Sequence, residues 1–170
     1  MSNLQYDALL AALLDSWDRN NTILVNLLRA LPDGKLDLRP APSSPSIGGM
    51  LVHIHYCRLV FVEENVPEVA TPVPAGKWRT ERDRALIATW LSQSAQTVRN
   101  AVAHRVESGR AMDQHYDHPV LLLQHMIWHE GYHHGQIKLA LKLAGQALAD
   151  EEIGLVTWDV WMDKTQAGHG

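Results

Sequence analysis

Apolar residues recur every three or four positions along four long stretches of this chain, and segments rich in proline or glycine separate the stretches. Such spacing places side chains on one face of an α-helix. The four expected inward faces are Tyr6, Leu10, Leu13, Trp17, Leu24, Leu28 and Leu31; Ile47, Met50, Ile54, Cys57 and Phe61; Leu86, Trp90, Ser94, Val98, Ala101 and Arg105; and Leu122, Met126, His129, His133, Ile137, Ala140 and Ala144. Amphipathic helices bury such faces against one another, so the sequence predicts an all-α four-helix bundle.

Capping residues and helix breakers mark where these helices are expected to begin and end. The expected starts are Ser2 with Gln5, Ser46, Thr80 with Asp83, and Asp117 or His118 ahead of Pro119. The expected ends are Pro32, the loop that holds Pro67, Pro72, Pro74 and Gly76, then Gly109, and finally Gly145. The segments between the helices are therefore expected to be loops that avoid helix.

A single domain is expected over residues 1–170, because this length suffices for one packed core and is short for two. The tail over residues 146–170 contains Trp158 and Trp161, which are apolar enough to pack back onto the bundle or onto a second subunit. No run of alternating residues requires a sheet, although residues 112–116 fit an extended segment.

Charge and hydropathy argue against several classes of partner. The net charge is -4 and Lys and Arg do not cluster, which disfavours nucleic acid. The most apolar helical stretch, residues 120–128, has about half of the roughly 20 residues that cross a bilayer, and residues 1–10 lack the cationic start of a secretory signal. We therefore expect a cytoplasmic protein without a membrane span.

Cys57 is the only cysteine, so any metal must be held mainly by His and carboxylate groups.

Two histidines interrupt the apolar face of the fourth helix. His129 and His133 lie four positions apart, so both rings project from the side that faces the core. An unpaired buried polar group costs about 1–3 kcal/mol, so two such groups require partners. His53, in the middle of helix 2, is placed to meet them, and three imidazoles can hold zinc, nickel or iron with coordination positions left open. His55 points to another side of helix 2 and is expected at the surface.

Open coordination is typical of a catalytic metal site. The simpler alternative is a set of core histidines that bond to the backbone or to each other. Residues 129–133 also match the His-Glu-x-x-His motif of zinc proteases. The longer form of that motif requires Gly and His where this chain has Gln136 and Leu139, so we disfavour the protease. Glu130 is therefore expected first to face solvent or to support a ligand, and only second to act as a general base.

Two segments resemble the DinB and YfiT-like family of metal-dependent enzymes. Residues 46–54, SIGGMLVHI, match the family on helix 2. On helix 4, the segment from His129 to Gln136 is similar to the family signature His-x-x-x-His-x-Gly-Gln. The likeness extends over nearly the whole chain, including the tail with its tryptophans.

The resemblance implies a bundle with up-down-down-up connections, often a homodimer, in which His53, His129 and His133 bind one divalent ion. Nickel and zinc are both known among relatives. His134 stands where relatives commonly have Arg, which leaves a swapped ligand assignment open. Characterised relatives include bacillithiol transferases and mycothiol-dependent isomerases, so the expected partner is a small-molecule substrate, such as a low-molecular-weight thiol.

We therefore expect a metal-dependent transferase or hydrolase in which nickel or zinc, or else iron or manganese, activates a thiol or water for attack on a small electrophile. Gln136 is expected to orient a ligand, or else to be a core amide. Trp17 and the pair Asn20 and Asn21 can line the cavity but are more typical of a core. A metal-binding or stress-associated bundle without catalysis, and a metal-free bundle, stay open as alternatives.

Overall fold

The computed structural model describes residues 3–162, and every regular element in that range is helical. The α-helices are α1 (Asn3–Ala30), α2 (Ile47–Asn65), α3 (Arg84–Ser108), α4 (Val120–Leu143) and α5 (Asp150–Val156). Short 3-10 turns cover Lys35–Asp37, Pro67–Val69 and Trp158–Trp161. No strand occurs between residues 3 and 162, so the prediction of an all-helical chain is confirmed.

The start of α2 follows the predicted capping residue, whereas the starts of α3 and α4 differ from the prediction. The Ser46 hydroxyl accepts a hydrogen bond from the Gly49 N–H at 3.1 Å, as expected of a helix cap. The cap of α3 is Asp83, whose carboxylate accepts from the Leu86 N–H at 3.0 Å. The expectation that Thr80 begins this helix was therefore wrong. The N-cap of α4 is Pro119, so the expectation that Asp117 or His118 caps this helix was wrong. The imidazole of His118 accepts from the Val120 N–H at 3.2 Å just ahead of that cap. Ser2 lies outside the described residues.

The end of α4 is fixed by Gly145, as the sequence predicted. This glycine has a φ of 67°, a left-handed conformation that L side chains rarely adopt. Its N–H donates to the Lys142 carbonyl at 3.1 Å, and the Gln146 N–H donates to the Leu141 carbonyl at 2.8 Å. This pair of hydrogen bonds is the Schellman arrangement, which satisfies the last carbonyls of a helix.

Buried apolar side chains form two clusters. One joins the carboxyl ends of α1 and α4 to the amino ends of α2 and α3, and includes Leu24, Leu28, Met50, Ile54, Ile87, Leu91, Ile137 and Ala140. The other joins the opposite ends of the same helices, and includes Leu14, Trp17, Val62, Val66, Val98, Val102, Leu122 and Met126. Residues 129–133 of α4 lie between the two clusters, near the middle of the length of α4.

The predicted inward faces of α1, α3 and α4 were partly wrong. On α1, Tyr6 is 42% exposed. Leu86 is 37% exposed, whereas Ile87 and Leu91 are buried and carry the packing of the first turns of α3. Successive steps of four residues each advance about 40° around a helix, because one residue turns about 100°. The predicted line on α3 runs in steps of four residues from Leu86 to Val98, so it cannot stay on the buried face over its whole length. This drift explains why Leu86 is exposed. Ala144, at the other end of the α4 line, is exposed.

The described part of the tail packs against its own chain. Ile153 of α5 is 2% exposed and belongs to the first apolar cluster. The Asn26 amide of α1 donates to the Val156 carbonyl at 2.8 Å, and the Arg19 guanidinium donates to the Val160 carbonyl. The tail therefore extends the fold along α1, with Trp158 and the following turn at the surface. Within residues 3–162, no helix is both long and apolar enough to cross a membrane.

Candidate metal centre

Three imidazole rings converge between α2 and α4. The Nε2 atom of His129 lies 3.3 Å from Nε2 of His53 and 3.2 Å from Nε2 of His133. The candidate ligand atoms of the three residues all lie within 4.8 Å of one another. His53 is 4% and His133 is 5% exposed, so the group is largely shielded from water. The three rings singled out in the sequence therefore lie at one point, which we call the histidine triad.

The spacing of these nitrogens fits a metal ion. Nitrogen ligands at about 2.0–2.1 Å from a tetrahedral ion lie about 3.3 Å apart. The separations around His129 have this value, so small movements suffice to place all three Nε2 atoms around one ion. Imidazole nitrogens suit zinc, nickel, copper and iron. The His129 Nδ1 atom is buried without a hydrogen-bond partner among the described residues.

The electrostatics of the triad favour neutral rings. Burial, helped by the neighbouring charges of His133 and His129, lowers the pKa of His53 to about 3. Burial and the nearby His133 lower the pKa of His129 to about 4. Burial also lowers the pKa of His133, against the opposing effect of its hydrogen bond to Gln136. Neutral imidazole offers a lone pair, so the three rings are in the protonation state that a metal ligand needs.

Gln136 supports one ring of the triad. Its Oε1 atom lies 2.8 Å from Nδ1 of His133, and its amide donates to the Tyr132 hydroxyl at 3.0 Å. Since the amide oxygen only accepts, His133 Nδ1 carries the proton and Nε2 keeps its lone pair toward the triad. Gln136 thus contacts the triad and sets the tautomer of His133, while a role in orienting a ligand stays a prediction.

Two further groups touch His53. The ring of Trp78, from the linker between α2 and α3, stacks on His53 with centroids 3.7 Å apart and an interplanar angle of 17°. Trp78 is 44% exposed, so it forms a wall between the triad and solvent. The Cys57 sulfur lies 3.4 Å from Nε2 of His53. Burial raises the pKa of the Cys57 thiol to about 11, which keeps it protonated at neutral pH.

Sequence reasoning missed the contact with Trp78 but not the one with Cys57. Cys57 lies four residues after His53, and this helical spacing places the two side chains together. No comparable signal exists for Trp78, because a linker rich in proline and glycine has no periodicity that fixes where its side chains point.

Glu130 is buried instead of facing solvent, which corrects the first expectation for this residue. It is 1% exposed, and its two oxygens accept from the Arg58 guanidinium at 2.6 and 2.8 Å. The Asn20 amide donates to Glu130 at 2.6 Å, and Arg58 donates to Asn21 at 2.9 Å and to the Leu91 carbonyl at 2.7 Å. These bonds tie together all four long helices beside the triad. A role for Glu130 as a general base stays a prediction.

Several other histidines, and Trp17, are not part of the triad. His55 is 8% exposed and stacks on Trp90, so the expectation that it lies at the surface was wrong. Trp17 is fully buried and its indole N–H donates to the Ala95 carbonyl at 2.8 Å, which makes it a core residue. His125, one turn before His129, lies 2.7 Å from the Tyr116 hydroxyl. His134 is not part of the triad.

A comparison with the sequence profiles of protein families gives a match to this chain. The sequence profile of the DinB family matches residues 1–154 of the 170-residue chain. The chain belongs to the DinB family. The match includes all five described α-helices except the last residues of α5, and it contains the complete triad. Searches of curated proteins and of solved structures gave no match to this DinB chain.

The lowered pKa values predict that the metal-free DinB protein loses stability in acid. An unfolded His titrates near about pH 6.5, whereas the folded pKa values of His53 and His129 are about 3 and about 4. Between these values the unfolded state binds more protons, so the free energy of unfolding falls as pH decreases below about 6.5. Urea midpoints measured from about pH 7.5 down to about pH 5 are expected to decrease.

The matched control for this titration is the variant His53→Ala/His129→Ala, in which the decrease should be shallower. Saturating metal is expected to steepen the decrease in the parent protein, because protons and metal compete for the same nitrogens. Urea midpoints that do not change with pH would contradict neutral, buried rings.

Proposed function

We propose that this DinB protein is a metal-dependent enzyme that acts on a small molecule, with one divalent ion held by His53, His129 and His133. The observation that carries the proposal is the convergence of three neutral, largely buried imidazoles, with His129 Nε2 3.3 Å from Nε2 of His53 and 3.2 Å from Nε2 of His133. Imidazole nitrogen suits nickel, zinc and iron, and of these we propose nickel or zinc as the bound ion. When bound, such an ion lowers the pKa of a coordinated thiol or water, which makes a nucleophile available near neutral pH.

The residues around the triad support a site open on one side. Three protein ligands leave coordination positions free, whereas structural zinc usually has four protein ligands. Trp78 covers one side of His53 and offers an aromatic surface to a small electrophile. Gln136 holds His133 in the tautomer that presents Nε2. We infer that the enzyme is a thiol S-transferase or a hydrolase. For the transferase, the inferred co-substrate is a low-molecular-weight thiol.

We infer that the four long helices run up, down, down and up. The composition of the two apolar clusters supports this order, because the carboxyl ends of α1 and α4 meet the amino ends of α2 and α3. The linker over residues 66–83 then returns the chain along the length of α2 before α3 begins. In this arrangement α2 and α4 are antiparallel neighbours, which is what brings His53 opposite His129.

The competing function is a bundle in which the metal only ties α2 to α4. The ion pair between Arg58 and Glu130 already joins these helices, with both side chains fully buried. A structural metal ion is therefore less necessary to hold α2 and α4 together, which favours the interpretation of the triad as an enzyme site. A cytoplasmic location stays a prediction.

A metal and activity assay tests the proposal on protein purified without an affinity tag. Elemental analysis should find about one equivalent of divalent metal per chain. Reaction of low-molecular-weight thiols with a fluorogenic bimane electrophile should stop when a chelator removes the metal, while the helical circular dichroism persists. Unfolding on metal removal would instead support the structural ion. Absence of metal from the parent protein, even after incubation with zinc or nickel, would exclude both.

We also propose that the protein forms a homodimer through the outer face of α4. An apolar line on that face stays exposed: Trp128 is 72%, Tyr132 57%, Leu139 48% and Leu143 64% exposed. Exposed apolar surface of this extent is typical of interaction sites. Sedimentation equilibrium should find a dimer that Leu139→Glu weakens at least about tenfold. The control is Leu155→Glu on α5, which should dimerise normally, and a monomeric parent protein would contradict the proposal.

A further inference from the structure

A cavity lies between α2, α3 and the linker over residues 71–79. Its volume is about 540 Å³, within the roughly 300–1,000 Å³ typical of small-molecule sites. Val52 and Leu59 of α2, Trp90 of α3 and Pro72 of the linker give it largely apolar walls. None of the three triad histidines lines this cavity.

The cavity and the triad lie on different sides of α2. His53 belongs to the triad and His55 lines the cavity, as expected for positions two residues apart on a helix. The linker shows the same division, because Trp78 stacks on His53 whereas the Arg79 guanidinium lies 4.8 Å from the centroid of the Trp90 ring. The cavity is thus a site of its own, and the proposed enzyme activity does not use it.

The charged group of the cavity is a cation. Arg79 is the one charged side chain among the residues that line the described cavity, and no carboxylate lines it. The nearest carboxylate partner of Arg79 is Glu81 at 3.7 Å, beyond hydrogen-bond length. Glu81 accepts instead from the backbone N–H groups of Arg82 and Asp83 at 2.8 and 3.0 Å. The Arg79 guanidinium therefore keeps donors for an anionic ligand.

His55 lies on the same wall of the cavity. Its Nδ1 atom donates to the Trp90 carbonyl at 3.0 Å, because a carbonyl can only accept. The Trp90 ring already contacts both His55 and Arg79, which leaves aliphatic side chains and prolines as the main apolar surface for a ligand.

We propose that this cavity binds a small amphipathic carboxylate, with its carboxylate on Arg79 and its aliphatic chain against Val52, Leu59 and Pro72. A guanidinium pairs with a carboxylate through parallel hydrogen bonds, and apolar walls remove the chain from water. The cationic head site and the apolar body fit this class of molecule better than a phosphate ester of a polar sugar, which would find few partners on these walls.

Isothermal titration calorimetry with decanoate, below its micelle concentration, tests the proposal on the full chain. The parent protein should bind one decanoate per chain, and the uncharged decanol at least about tenfold more weakly. Arg79→Gln should weaken decanoate binding about tenfold or more and leave decanol binding unchanged. The control is Arg82→Gln, a substitution on the same linker outside the cavity, which should bind like the parent.

A second variant tests where the aliphatic chain of the ligand lies in the cavity. Thr97→Phe on α3 places a ring in the cavity and should reduce binding of both probes, with helicity checked by circular dichroism. Arg79 is half exposed on a linker, so its variant is expected to fold even if Thr97→Phe does not. No saturable binding, equal affinity of decanoate and decanol, or unchanged binding in Arg79→Gln would each overturn the proposal.

Discussion

Replacing Arg58 with Met is expected to lower the free energy of unfolding by about 3–5 kcal/mol, the cost of leaving one partner of a buried ion pair alone. Glu130 would keep its carboxylate in a site that is 1% exposed, with the Asn20 amide as its remaining donor. Arg58 also donates to Asn21 and to the Leu91 carbonyl, so the substitution removes links to α1 and α3. Urea unfolding followed by circular dichroism measures the loss.

Two controls separate the buried ion pair from general loss of charge. Arg99→Met removes the exposed ion pair with Asp18 and is expected to change stability by less than about 1 kcal/mol. The double variant Arg58→Met/Glu130→Met should be more stable than Arg58→Met, because the unpaired charge is gone. A loss of less than about 1 kcal/mol in Arg58→Met would mean that water reaches Glu130 in solution.

The helices could be predicted from the sequence because apolar spacing and caps act locally. Ser46 begins α2 and Gly145 ends α4, each through hydrogen bonds to neighbours within a few residues. Their roles therefore follow from residue type. The error at Thr80 has the same local basis, since Asp83 supplies an equally good cap three residues later. The short helix α5 escaped prediction because seven residues carry too little periodicity for a clear signal.

The triad could be predicted because it combines local spacing with a polar group on an apolar face. His129 and His133 are neighbours on one helix, and their cost in a core demands partners. The network around Glu130 could not be predicted in the same way. Its carboxylate meets Arg58 and Asn20 from two other helices, and neither the spacing nor the residue types along one helix specify that contact. Burial of His55 against Trp90 is also a contact between helices, and it follows only from the packed structure.

Replacing His53 or His129 with Ala is expected to weaken metal binding by more than about 100-fold, which exceeds the 10- to 100-fold effect typical of groups that only support a ligand. Each substitution leaves two imidazoles on a site that fits three. Titration with zinc or nickel against a chromophoric chelator measures the affinity. The matched control is His134→Ala, which changes the residue next to His133 and should bind metal like the parent.

Gln136→Ala should give an intermediate result, with affinity reduced about 10- to 100-fold, because His133 keeps its ring but loses the hydrogen bond that sets its tautomer. The metal affinity is thus expected to be lowest in His53→Ala, intermediate in Gln136→Ala and unchanged in His134→Ala. This order of affinities follows only if the metal lies among the three Nε2 atoms. Loss of binding in His134→Ala together with normal binding in His133→Ala would show that α4 is rotated relative to this structure and that the swapped ligand set is the correct one. Because His133 and His134 differ by about 100° around the helix, the two outcomes cannot both hold.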